Sequence, residues 1–484
     1  MSIYETKTSS KPLKAGIWYT ISNFLVKGMV FLTTPIFTRI MTSSDIGLFS
    51  DASTWITILA IVATFELASS ISIARFDFRN DLDAFISSNL VLGTIITGIL
   101  YSVVLFFHNF FEDLFKFDFD VLNLVFIYLL VYPAMQMFQM KKQIQFKYVP
   151  IVVVSLGSTF IATGFSLLGV FFFTNPLKGR IFGYYLPLIM TNIGLYIYLI
   201  VKGKKVSFKY WKYGLLVSLP LIFHLLAAYL LTASDRLMIT RVINNEATAL
   251  YSVAYSCAMI ISLLWSSMNN AWSPWAYQMM DTRDYVQLKS KSKCYTLFFL
   301  LIVFGFLLIG PETLYVMGGK TYMGAVYVIP AVGIGYIFQF FYSFYVNIEF
   351  YSKKQVLIAI GTTIAAAINI GLNLVFIPKY GYIAAAYTTL ASYMCLFLIH
   401  FVFVSFLRKT KWYDTKFFVC AGLFSTALAF FVSFLYGETL KRYIFIGMLI
   451  VAFAFFAILN MKTIKKAIKE RNIEALLSIL EFKK

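Results

Sequence analysis

The string TRIMTSSDIGLFS (Thr38–Ser50) returns 202 residues later as TRVINNEATALYS (Thr240–Ser252). Thr, Arg, Leu and Ser are identical at matching positions, and Ile/Val, Gly/Ala and Phe/Tyr are conservative pairs. A second window keeps the same offset: Pro176, Gly179, Ile181 and Tyr185 correspond to Pro378, Gly381, Ile383 and Tyr387. One coincidence in apolar sequence is cheap, but a shared offset in two separated windows points to an internal repeat.

Working outward from these windows, the chain is a series of apolar stretches. It is 60% hydrophobic and 13% charged, far from the balance of a soluble domain. A spanning helix needs roughly 20 apolar residues, because the hydrocarbon offers the backbone no hydrogen-bonding partner. Fourteen such stretches are centred near residues 26, 58, 97, 131, 162, 191, 226, 261, 302, 338, 366, 393, 426 and 451. The repeat maps the first onto the seventh and the fifth onto the eleventh, so its unit is six helices. An even number keeps both copies in one orientation, the parallel-repeat plan of a transporter whose halves rock about a central site.

The expected fold is therefore all-α and integral to the membrane, with about 14 transmembrane helices. Two parallel six-helix repeats form a two-lobed bundle, and two extra helices follow them. The corresponding segments are 1–205, 206–407, 408–460 and a cytoplasmic tail at 461–484. In that tail Ile473, Leu476, Leu477 and Leu480 follow helical spacing behind Lys465, Lys466, Lys469 and Arg471, the pattern of a helix lying on the inner leaflet. The apolar run from Ala15 is too long for a signal-peptide core and reads as an uncleaved first span.

Net charge is +19. With both termini cytoplasmic and the spans alternating, about three in four of the 41 Lys and Arg residues fall on the cytoplasmic side, as the positive-inside rule requires. Anionic inner-leaflet lipid is then a sufficient partner for most of this charge, and no nucleic acid is expected.

Polar residues inside the spans are the candidate site. Lys27 sits near the middle of the first span, where a charge costs roughly 2.5–3.5 kcal/mol on insertion scales and so should face protein or water. Thr20, Asn23, Lys27, Thr34 and Thr38 share one helical face, a stripe suited to a wet cavity. Arg39 and Arg241 are repeat mates at the expected outer ends of spans 1 and 7. With Arg236 they form a prospective cationic ring, and paired guanidinium donors match phosphate geometry. Asp51, Glu66, Asp235 and Glu349 are the sparse intramembrane acids and the candidates for binding a coupling ion. His224, four residues after Pro220, is expected to be a packed residue. Pro133, Pro187, Pro220, Pro274 and Pro330 are expected to kink their spans.

No enzyme signature survives. Gly319-Lys320-Thr321 ends like a phosphate loop, but the glycine that loop needs is replaced by Leu314. Asp118 and Asp120 lie in an expected outer loop. Metal-ligand spacing is absent, and no cofactor or metal is expected.

The runs FLTTPIFTRIMTSSDIGLFS, SDRLMITRVINNEATALYSVAYS and AINIGLNLVFIPKYGYIAAAYTTLASY (Ala367–Tyr393), the last preceded by EFYSKKQ, resemble the polysaccharide-transporter family of Wzx-type O-antigen and capsule flippases. That family lies in the multidrug/oligosaccharidyl-lipid/polysaccharide exporter superfamily. The resemblance implies a plasma-membrane protein that moves an undecaprenyl-diphosphate-linked oligosaccharide from the inner to the outer leaflet by alternating access. Polysaccharide polymerase and chain-length machinery are the implied partners beside membrane lipids. It also implies that lumenal cations and aromatics contact substrate, for which Lys27, Arg39, Arg236 and Arg241 are the matching candidates. The alternative is a relative in the same superfamily, either a drug/cation antiporter or a peptidoglycan-precursor flippase.

Overall fold

The structure, a computed structural model, describes residues 10–407 and 412–459, without the side chains of residues 10–17, 19, 20, 23, 27 and 452–459. The amphipathic tail at 461–484 and the side chains of Lys27, Asn23 and Thr20 lie outside the described residues.

Every regular element among the described residues is helical. The first unit holds α1 (Ser10–Ile40), α2 (Ser43–Thr64), α3 (Leu67–Asp77), α4 (Leu82–Phe106), α5 (His108–Phe115), α6 (Phe119–Ile144), α7 (Tyr148–Phe172), α8 (Pro176–Gly203) and α9 (Phe208–Val242). Then follow α10 (Asn245–Thr282), α11 (Tyr285–Leu308), α12 (Gly310–Gly318), α13 (Val328–Tyr351), α14 (Gln355–Tyr380), α15 (Tyr382–Phe406), α16 (Thr415–Leu435) and α17 (Thr439–Leu459). With α2 and α3 taken as one broken span, and the short α5 and α12 set aside, these helices coincide with all fourteen apolar stretches. Twelve of them are long and apolar enough to cross a bilayer among the described residues. The protein is a multi-pass membrane protein.

Helix boundaries repeat as the sequence does: α1 ends at Ile40 and α9 at Val242, α2 begins at Ser43 and α10 at Asn245. Each pair is 202 positions apart. Two compact units result, Met1–Ala249 and Leu250–Lys484.

In the first unit, apolar burial divides into two clusters. One gathers Ile56, Leu122, Phe126, Leu129 and Ile189; the other gathers Leu67, Ile71, Phe85, Met137 and Tyr210. Within lipid, burial of apolar surface gives little drive for helices to associate, so close backbone approach matters more. Gly169 of α7 lies directly against the Gly179 carbonyl of α8, where any Cβ would collide.

The second unit is built around α13, whose membrane window is 89% buried. Phe299 stacks on Phe340 at 4.2 Å between centroids, and Phe341 and Phe344 meet Phe418 edge-on or tilted. Four of the five intramembrane prolines lie inside helices, Pro133 in α6, Pro187 in α8, Pro220 in α9 and Pro274 in α10. Pro330 is the exception to the expected kinks. It occupies the first turn of α13, where the missing N–H costs nothing.

Candidate functional site

The two copies of the repeated string fold into two helical corners that meet inside the first unit. Each corner is a helix end, a short turn and a capped helix start. Thr42 caps α2 by accepting the Asp45 N–H at 3.1 Å, and Asn244 caps α10 by accepting the Ala247 N–H at 2.8 Å. These caps satisfy backbone donors that the helix start leaves unpaired. Gly47 then lies flat on the Asn245 carbonyl, with no room for a Cβ, and the Asn245 amide reaches the Ser44 hydroxyl at 3.4 Å.

One turn further along α2, Asp51 is 1% exposed. Its carboxylate receives the Thr240 hydroxyl and interacts electrostatically with Arg241. Thr240 is in turn 2.8 Å from Thr248. The structure thus brings together Asp51 and Arg241, one a candidate coupling acid and the other a candidate cation for substrate. Arg39 is exposed and folds back onto its own helix, donating to the Pro35 carbonyl at 2.6 Å. Arg236 is half-buried on α9 beside the fully buried Asp235.

Arg180 joins this corner without having been singled out from the sequence. Its guanidinium lies 3.8 Å from the centre of Phe37 and 3.6 Å from that of Phe49, clamped between α1 and α2. It also reaches the Met41 sulfur at 3.7 Å. A cation over two aromatic faces is stabilised by the ring quadrupoles, so Arg180 keeps a fixed position. The only sequence signal was its place in the Pro176–Tyr185 repeat window, where the matching residue is Tyr382.

Glu66 occupies a break in the second span. Phe65 and Glu66 both have positive φ, 47° and 49°, a conformation costing about 1–3 kcal/mol for such residues. The interruption frees backbone groups in the membrane. The Thr97 hydroxyl of α4 reaches the Ala63 carbonyl at 3.2 Å, Thr64 receives the Glu66 N–H at 3.3 Å, and Ser69 donates to the Glu66 carboxylate at 3.3 Å. Tyr132, next to Pro133 on α6, is close enough to feel the Glu66 charge. Broken helices with polar backbone at membrane depth are tolerated where they line protein or a watery path.

The second unit carries a ladder of buried amides and hydroxyls. Asn369 donates to Thr389 at 3.1 Å, Asn373 donates to Asn369 at 3.2 Å, and Thr388 donates to Asn373. Nearby in sequence, Glu349 of α13 pairs with His400 of α15. His224 stands out in the sequence by its place after Pro220, whereas His400 does not, since a lone histidine in an apolar helix carries no pattern. On the outside of the unit α11, α16 and α17 enclose an apolar groove of about 520 Å³, lined by Leu301, Phe304, Phe424, Phe431, Phe445 and Leu449 among others.

The family described as "Polysaccharide biosynthesis protein" matches residues 13–280. Among curated proteins none matches this sequence. Among solved structures, "Lipid II flippase MurJ, inward closed conformation" superposes with a TM-score of 0.67 at 16% identity, covering 93% of this chain and 100% of that one. A MOP superfamily transporter from Pyrococcus furiosus Vc1 gives 0.58 at 14% identity, covering 84% and 99%. An outward-facing multidrug resistance MATE family transporter gives 0.56 at 15% identity, also covering 84% and 99%. At these identities the likeness concerns the fold, which is that of MOP superfamily transporters.

Proposed function

Because the chain belongs to the polysaccharide biosynthesis protein family, we propose that it is a flippase of the bacterial plasma membrane. Its cargo is an oligosaccharide on an undecaprenyl diphosphate carrier, moved from the inner to the outer leaflet for surface polysaccharide. The observation that carries a lipid-linked cargo is the groove of α11, α16 and α17. Two of its three walls come from the helices appended after the repeats, and its lining is apolar. A soluble drug needs no such seat, whereas a prenyl chain travelling beside its head group does.

The head group has the opposite requirement. Desolvating a diphosphate in hydrocarbon is prohibitive, and Lys27, Arg39, Arg180, Arg236 and Arg241 are the cations proposed to offset that cost, with Asn23 as a sugar-binding group. Alternating access needs a seam that opens, and the paired corners supply one. Gly47, Ser44 and Asn245 hold it by van der Waals contact and one long hydrogen bond, and Asp51 adds a polar tie to Thr240 and Arg241 that must break or be rehydrated when it parts. Asp51, Glu66, Asp235 and Glu349 are the acids proposed to couple that motion to an ion gradient.

Deleting the gene and weighing the undecaprenyl-linked pool tests the reading. Loss of surface glycan with accumulation of a lipid-linked repeat unit supports it and identifies the sugar. Unchanged glycan with raised drug or cation sensitivity replaces it with an antiporter.

A further inference from the structure

We propose that Glu349 and His400 form a single proton-binding site that locks α13, α14 and α15 together and releases its proton when that packing opens. The inference rests on the transport reading only in calling the site a coupling site. The proton binding itself is argued from the second unit alone.

Both side chains are 0% exposed. The His400 Nδ1 lies 2.9 Å from each Glu349 carboxylate oxygen. The ring is held on its other sides by the edge of Tyr342 at 4.8 Å and by Phe403 at 5.8 Å. Its second nitrogen, Nε2, is buried with no hydrogen-bonding protein group and faces Gly361 of α14. A Cβ added to Gly361 would stand 2.5 Å from that nitrogen. The imidazole therefore fills a notch that exists because residue 361 is glycine.

Charge decides what such a pair holds. With no proton between the two groups the pair is an anion, with two protons it is a cation, and with one it is neutral. An isolated charge buried in protein is strongly disfavoured, and a net-neutral hydrogen-bonded pair is disfavoured far less. The packed site therefore holds one proton, whichever of the two atoms carries it.

Little else nearby competes for that role. From α13 the facing ionisable group is Tyr342, whose hydroxyl bonds Thr362 of α14. Besides Thr362, α14 presents Gly361 here and no charged side chain. From α15 Cys395 lies five residues away from His400. Helix α16 packs on α13 through Phe418 against Phe341 and Phe344, and the Asp414 that precedes it acts on Tyr345.

The site is also close to an exit. Glu349 is two residues from the end of α13, and the following turn contains Lys353 and Lys354. The Lys354 N–H bonds the Glu349 carbonyl at 2.9 Å. His400 lies six residues from the end of α15, about 9 Å along its axis. Fraying the first turns of α14 would admit water to Nε2 past Gly361 and let the proton pass to it. Cations at the turn favour the deprotonated, anionic pair once it is hydrated. Proton occupancy and helix packing are then linked, each changing the other.

The test is hydrogen–deuterium exchange on the full chain in lipid nanodiscs, at about pH 6 and about pH 8.5, with intrinsic amide rates corrected. In the unaltered protein, amides of residues 355–365 should open about tenfold more readily at the higher pH. Glu349→Gln, His400→Gln and the double variant should each flatten that difference, since none retains a pair that titrates. An unaltered protein with no pH difference overturns the proposal, and so do variants that keep it. The first of these outcomes needs no variant, so loss of fold in a mutant leaves the test decisive. Exchange needs no cargo: a flat result alongside lipid-linked glycan accumulating in the deletion strain removes the proton site and leaves the flippase reading intact.

Discussion

The second span of the first repeat and its counterpart in the second repeat begin alike and then diverge. Both start with a capped turn 202 residues apart, yet one breaks at Phe65–Glu66 while α10 continues unbroken through 38 residues. The residues matching Asp51 and Glu66 are Val253 and Met268. The duplicated scaffold supplies the paired corners, whereas Asp51 and Glu66 have no acidic counterpart at the matching positions of α10. Among the described residues of the second copy the buried acids are Asp235 on α9 and Glu349 on α13, where the first copy has Thr33 and Lys147.

The largest effect is expected at the intramembrane cation of the first copy. Lys27→Ala should abolish export while the amount of folded protein in the membrane is unchanged, read by surface glycan and immunoblot. Normal export would remove Lys27 from the substrate path. Second comes the break itself. Glu66→Gln and Glu66→Gly should each cut export by about tenfold or more, since each removes the carboxyl placed at membrane depth. Glycine keeps the left-handed backbone at no steric cost, so full export in Glu66→Gly would assign the function to the break and not to the carboxyl.

Third is the seam between the corners. Cysteines at Ser44 and Asn245, whose side chains meet at 3.4 Å, should cross-link under oxidation and arrest export until a reductant is added. Export that continues through a complete cross-link would show that the corners need not part.

Much of this was legible before any coordinates. The fourteen apolar helices follow from apolar run length, because hydrocarbon leaves a crossing chain few alternatives to a helix. The repeat was legible because Thr38–Ser50 and Thr240–Ser252 form turns and caps, whose polar residues stand out against Leu and Phe. The break at Phe65–Glu66 was hidden, for it uses neither Gly nor Pro and its strain is met by Thr97 from another helix. His400 and Arg180 were hidden for a related reason. Each is defined by partners remote in sequence, Glu349 and Gly361 for one, Phe37 and Phe49 for the other. The assignments of Lys27 and Asn23 still stand on sequence alone.

The smallest expected effect lies outside the bilayer, where helix α16, the first of the two beyond the repeats, is anchored. Asp414 caps it by accepting the Phe417 N–H at 3.2 Å and pairs with Lys293 of α11 at 2.5 Å. The Lys293 ammonium, through its hydrogen bond, holds the Asp414 carboxyl below its ordinary value, against a small opposing effect of burial. A depressed carboxyl contributes stability that is present above its unfolded value of 3.8 and lost as pH falls through the lower folded value. Both side chains are about one-third exposed, so solvent screening limits the ion pair, and cap and pair together should be worth about 1 kcal/mol. Asp414→Asn keeps a capping oxygen and removes the charge. It should therefore lower the melting temperature slightly at neutral pH, with a deficit that shrinks as the pH falls below 3.8. Melting curves of both proteins across that range measure it, and equal differences at both ends would show that Asp414 acts as a cap only. In that case α16 is anchored by its backbone, and Lys293 contributes no more than a surface charge.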